Sequence, residues 1–164
     1  MDINQISELS ATGVYTLILN AKKENTITIG KLGDNTFSEG YYTYTGSSLG
    51  IGATNLKNRI ARHQKKQKHN FWHIDYFLAD KNVTIETVVG AETTKKIECP
   101  TNNYLMNLRG TKVPVKRFGA SDCRKNCKSH LLYFPNLKET KYLVQKLLSF
   151  FNSSTDILSI IIVD

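Results

Sequence analysis

Residues 41–52 read YYTYTGSSLGIG, and how they are read decides the fold. Tyr41, Tyr42 and Tyr44 interleave with Thr43 and Thr45, a β-rich pattern that suits a half-buried strand. Gly46, Ser47, Ser48, Gly50 and Gly52 then supply small residues that let the chain reverse. The next segment, LKNRIARHQKKQK over residues 56–68, is basic and carries its apolar residues at helical spacing. Strand, turn and basic helix are expected in that order, with Thr54 as the N-cap and the helix running as far as Gln67.

Upstream, residues 14–20 (VYTLILN) alternate and are rich in β-formers, and residues 26–31 (TITIGK) repeat the pattern after a lysine-containing turn. Those two segments are expected to form a hairpin. Downstream, residues 72–78 and 83–89 read as extended, and residues 104–108 read as helical after Pro100. Residues 139–151 read as a helix with Leu143, Leu147 and Phe150 on one stripe, and residues 157–163 (ILSIIIV) as a buried closing strand. The expected architecture is one α/β domain over residues 1–164, a small antiparallel three-stranded sheet flanked by helices.

At 164 residues, 40% hydrophobic and 22% charged, the chain can bury a core without staples. Its 22 Lys plus Arg against 14 Asp plus Glu leave a formal charge of +8, which favours an acidic partner, with nucleic acid first. MDINQISELS lacks a secretory apolar region, and no apolar run approaches the about 18 residues of a membrane span. A cytoplasmic protein with no membrane partner is expected, its three cysteines reduced or bound to metal.

On the basic helix, Leu56, Ile60 and His63 share one stripe, and Arg59 falls at its edge. A guanidinium at such a junction usually holds an oxyanion. Arg62, Lys65, Lys66 and Lys68 are freer to reach solvent, and with Lys57 they form the expected nucleic-acid face, to which residues 112–117 could add. An ordinary solvated face is the alternative. In HNFWHIDYF an extended chain would put His73 and Asp75 on one face, near substrate or the basic helix; a packed aromatic strand is the other reading, and His73 is a secondary site residue. Cys123, Cys127 and His130 have a spacing that zinc could accept, and Cys99 could complete a Cys3His set; three buried small thiols are the alternative.

Gly13-Val14-Tyr15, Tyr44-Thr45-Gly46, Arg59 and His63 together resemble the signature of the GIY-YIG nuclease superfamily. TGSSLGIGATNLKNRIARH, HNFWHIDYF, IEC, FGASDC and KSHLLYF are similar to its archaeal-type subfamily of unknown physiological role, a module sometimes found beside endonuclease III. The resemblance spans residues 13–134 and implies a core over 13–109 with a subfamily extension over 110–164. It also implies phosphodiester hydrolysis with one Mg²⁺ or Mn²⁺, and DNA-repair proteins as partners. Tyr15 would be the base, Arg59 the phosphate-binding cation, Tyr44 a second orienting hydroxyl and His63 a group that polarises or positions the scissile bond. Glu98, which precedes Cys99 as in the subfamily, would hold the ion, with Glu92 and Glu86 as weaker candidates. Pro100 disfavours helical geometry just before it, which would leave Glu98 outside the helix. A nucleic-acid-binding module without catalysis, and an interaction domain for an acidic protein, are the competing functions.

Overall fold

The computed structural model describes residues 12–49, 55–121 and 123–164. Strand β1 (Gly13–Ala21) is buried along almost its whole length because it lies at the centre of a sheet covered on both faces. β4 (Gly40–Ser48) and β5 (Val83–Glu92) flank it, β6 (Leu131–Phe134) adds to β4, and β7 (Ser159–Val163) adds to β5. The result is a five-stranded antiparallel sheet of order β6-β4-β1-β5-β7.

Alternation along β1 sends its residues to two cores. Tyr15, Leu17 and Leu19 face one, shared with Leu56 and Ile60 of α1 (Leu56–Gln64) and Ile74 and Phe77 of α2 (His73–Leu78). Val14 and Ile18 face the other, shared with Leu105 of α3 (Glu98–Met106) and Leu143, Leu147 and Phe151 of α4 (Lys141–Asn152). The chain is thus a single α/β domain of helix, sheet and helix layers.

Several expectations are corrected. The sheet has five strands rather than three, since the short β6 and β7 extend it at both edges. Residues 110–164 supply both of those edge strands. The expected hairpin with β1 does not form. β2 (Asn25–Thr28) pairs instead with β3 (Asp34–Phe37) in a separate ribbon, because β4 and β5 already occupy both edges of β1. The aromatic segment HIDYFL is helical, not extended. α3 begins at Glu98, with Pro100 inside its first turn, where a missing N–H costs nothing. On α4 the buried stripe ends at Phe151; Phe150 stacks on Tyr104. β7 is an edge strand, and of its residues Val163 alone is buried.

α1 behaves as its pattern implies, burying Leu56, Ile60 and His63. Thr54 lies outside the described residues, and Asn55 caps the helix by accepting the Asn58 N–H at 2.8 Å. The helix stops at Gln64, where the Lys68 ammonium donates to the His63 and Lys65 carbonyls at 3.2 and 2.9 Å.

One ion pair fixes α1 against α2. Arg62 donates through both terminal nitrogens to Asp75 at 2.7 and 2.9 Å, and Asp75 Oδ2 also accepts the Phe71 and Trp72 N–H groups. Asp75 is fully buried. Burial disfavours its charge, yet Arg62 and the two backbone donors hold the carboxyl below its ordinary range. Replacing Asp75→Ala should cost about 3 kcal/mol or more in denaturant unfolding, since it strands a guanidinium and two N–H groups. A loss within about 0.5 kcal/mol, the ordinary range for surface changes, would contradict that role.

Candidate active site and metal centre

In the β1–β4 register Tyr15 pairs with Gly46 and Leu17 with Tyr44. Tyr15 and Tyr44 therefore lie diagonally on the same face of the sheet. Gly46 is not the start of a turn but a strand residue, and β4 continues to Ser48. A side chain there would put its Cβ 2.5 Å from the Tyr15 hydroxyl, so glycine makes room for the phenol rather than for an incoming phosphate. Changing Gly46→Ala should cost about 1–3 kcal/mol in unfolding free energy through overpacking. Unaltered stability would show that the Tyr15 ring is not held there.

Tyr15, Tyr44, Arg59 and Glu98 all line one cavity of about 540 Å³. The sequence places them on β1, β4, α1 and the start of α3, and the fold brings them together. His63 is not in the cavity wall. It is buried, its Nε2 lies 2.7 Å from the Tyr15 hydroxyl, and its ring packs against Tyr44 and Trp72, so it reaches the cavity through these wall residues.

Burial sets the charge state of this pair. It pushes the Tyr15 phenol well above its ordinary value, against the opposing field of Arg59, and raises Tyr44 likewise. It lowers His63 to about 3, with nearby Lys68, Arg62 and Arg59 adding to the effect and Asp75 opposing it. Phenol and imidazole are consequently both neutral near pH 7. Because the unfolded imidazole binds its proton near 6.5, stability from His63 is complete above that value and is lost as pH falls toward about 3. Between about pH 6 and 4.5, unfolding free energy should decline by up to about 1.4 kcal/mol per pH unit, and His63→Gln should flatten that slope. The same slope in both proteins would contradict the assignment.

Arg59 is fixed by donating from Nη1 to the Ser47 carbonyl at 2.6 Å and by lying 5.1 Å over the Trp72 ring. Its Nε is buried without a hydrogen-bond partner. Lys96, Arg124 and Lys125 also line the cavity, giving, among the described residues, four cations with Arg59 against one carboxylate, Glu98. These three were missed in the sequence, where they sit unremarked in TKKIEC and CRKNC.

The other expected residues are distributed differently. Lys57, Lys65 and Lys66 are exposed, whereas Arg62 is committed to Asp75 and Lys68 to helix carbonyls; neither is free as expected. None of the basic residues 112–117 lines the cavity. His73 sits on α2, and its Nδ1 accepts the Gly119 N–H at 2.9 Å. Gly119 has φ of 66°, and a Cβ there would lie 2.9 Å from the Tyr44 ring, so His73 acts on the cavity by holding this loop. Glu92 accepts from Ser159 at 3.0 Å and Glu86 from Thr84 at 2.6 Å; neither lines the cavity.

Glu98 occupies the boundary between two groups of residues. Its Oε2 accepts the Ser47 hydroxyl at 2.9 Å, and its Oε1 pairs with His130 Nδ1 at 2.9 Å. Beyond His130 lie Cys99, Cys123 and Cys127, whose sulfurs fall with the imidazole nitrogen within 4.8 Å of one another, a Cys3His cluster that could hold a metal ion. Although burial opposes ionisation, backbone N–H groups of Cys127 and Lys125 and the Cys99 thiol bring Cys123 to about 7.

These features define an α/β domain with a cationic cavity and a candidate metal centre in its wall. The profile of a domain of unknown function, DUF123, matches residues 14–153, and the chain belongs to that family. No curated protein and no solved structure matches it. No helix among the described residues is long and apolar enough to cross a membrane.

Proposed function

We propose that the protein is a divalent-metal-dependent nuclease of the GIY-YIG type that hydrolyses phosphodiester bonds, with DNA as the favoured substrate. The observation that carries this reading is the convergence of Tyr15, Tyr44, Arg59 and Glu98 on one cavity rimmed by Lys96, Arg124 and Lys125. A carboxylate with a neighbouring hydroxyl, Glu98 with Ser47, fits the oxygen-only preference of Mg²⁺ or Mn²⁺. Such an ion would supply stabilisation of the charge that grows on phosphate oxygens.

The chain's own groups cover the remaining needs. As the Tyr15 oxygen takes a proton from the attacking water, its own proton passes to the neutral His63 Nε2, 2.7 Å away, so the phenol stays neutral and the imidazole carries the charge. Arg59, which lines the cavity, donates to a phosphate oxygen. Tyr44 adds a second hydroxyl, and the rim cations grip flanking phosphates, so affinity should fall steeply as salt rises. Three thiolates and an imidazole suit zinc at the Cys3His cluster.

A binding module without turnover is the second reading. It is favoured by one observation: Glu98 Oε2 already accepts from Ser47, Oε1 lies 2.9 Å from His130 Nδ1, and among the described residues no other carboxylate lines the cavity. A nicking assay on supercoiled DNA with Mg²⁺ or Mn²⁺ separates the two. Tyr15→Phe, Arg59→Ala and Glu98→Ala should each lower cleavage by about 10²-fold or more, whereas Lys57→Ala should change only salt-sensitive binding. Cleavage equal in all variants would reject this site, and salt-sensitive binding with no cleavage by the wild type would establish the second reading.

A further inference from the structure

The Cys3His cluster and the cavity are joined by a continuous chain of polar contacts. Cys99 Sγ lies 3.4 Å from Cys123 Sγ and 3.8 Å from His130 Nε2. Those separations are close to the ~3.5–3.8 Å edges of a tetrahedron built with ordinary zinc–sulfur and zinc–nitrogen bonds. At 3.4 Å the two sulfurs are also too far apart for a disulfide. On the far side of the same imidazole, Nδ1 meets Glu98 Oε1 at 2.9 Å. Glu98 Oε2 accepts the Ser47 hydroxyl, and the Ser47 carbonyl accepts from Arg59.

We propose that Glu98 is the outer-shell partner of a zinc ion held by Cys99, Cys123, Cys127 and His130, so that zinc loading fixes the carboxylate in the cavity wall. A histidine that ligates through Nε2 gives its lone pair there to the metal, which leaves the proton on Nδ1. Nδ1 lies 2.9 Å from Glu98 Oε1 but has no hydrogen bond of good geometry; a ring held by zinc at Nε2 would aim that N–H at the carboxylate, the carboxylate–histidine–metal arrangement by which a second shell orients a ligand. The constraint runs both ways. Zinc pins the imidazole, and the pinned imidazole holds Glu98 between Ser47 and the cavity.

The backbone supports this function. α3 supplies Cys99 and Glu98 as adjacent residues at its start, and Asn102, one turn on, donates to the Ser129 carbonyl at 2.6 Å. His130 N–H donates to the Phe118 carbonyl at 2.8 Å. Arg124 and Lys125, in the loop between the ligand cysteines, line the cavity. Loss of the ion would free the loop that carries those cations as well as the carboxylate. Glu98 is thus a positioning residue for zinc and, resting on the proposed nuclease reading, a ligand for the cavity ion.

The test uses the full chain, prepared in reductant without chelator. Elemental analysis should find about one equivalent of zinc, and less than about a tenth would overturn the proposal. Competition with a chromophoric zinc chelator should show that Glu98→Gln weakens zinc binding about 10–100-fold, while Glu139→Gln, an exposed control, does not. Equal affinity in wild type and Glu98→Gln would overturn the link. As a check independent of any variant, ¹⁵N NMR of the wild-type chain should show His130 with a protonated Nδ1 and a zinc-bound Nε2. Metal at Nδ1, or an unaltered imidazole on zinc addition, would equally overturn it. None of these readouts needs cleavage, so failure of the nuclease reading leaves them intact.

Discussion

Glu98 is the residue on which the two halves of this site depend. One oxygen meets a serine at the end of the tyrosine strand, and the other meets a histidine that reaches into the cysteine cluster. A single carboxylate thus connects β4, α3 and the loop before β6. Elements far apart in sequence share a wall because this side chain has a partner on each side. Both ends of the connection are buried or half-buried, where a charge-assisted contact is stronger than in water and a broken one is costly.

On the opposite wall the constraint is steric. The phenol of Tyr15 occupies the space that a side chain at residue 46 would take, and its hydroxyl meets the buried His63. Burial keeps both groups neutral, so the positive field of the cavity comes from guanidinium and ammonium groups around its rim. The result is a neutral, pre-positioned hydroxyl beneath a ring of cations. That arrangement suits an anionic substrate whose attacking group must lose a proton.

Much of this was legible in the sequence, and the limits have physical causes. The stripe Leu56, Ile60 and His63 follows from helical period alone, and the same-face placement of Tyr15 and Tyr44 follows once β1 and β4 are neighbours. Spacing also suggested the Cys3His set, because short intervals between ligands survive folding. Strand partners were harder to read: TITI alternates as well as any strand, yet which edge it joins depends on distant segments that already hold both edges of β1. HIDYFL misled because aromatic and β-branched residues favour strands, whereas here an aspartate capping its own helix start and paired with Arg62 overrides that preference. The cations of the cavity rim left no periodic signal, since they come from separate segments that only the fold assembles.

The most direct measurement of the central claim is anomalous diffraction from crystals of the full chain grown with Mn²⁺, collected at the zinc and manganese edges. The account predicts a zinc peak enclosed by Cys99, Cys123, Cys127 and His130, and a separate manganese peak on the cavity side of Glu98. A manganese peak remote from Glu98, or a cysteine cluster without zinc and with His130 turned away from the carboxylate, would contradict it.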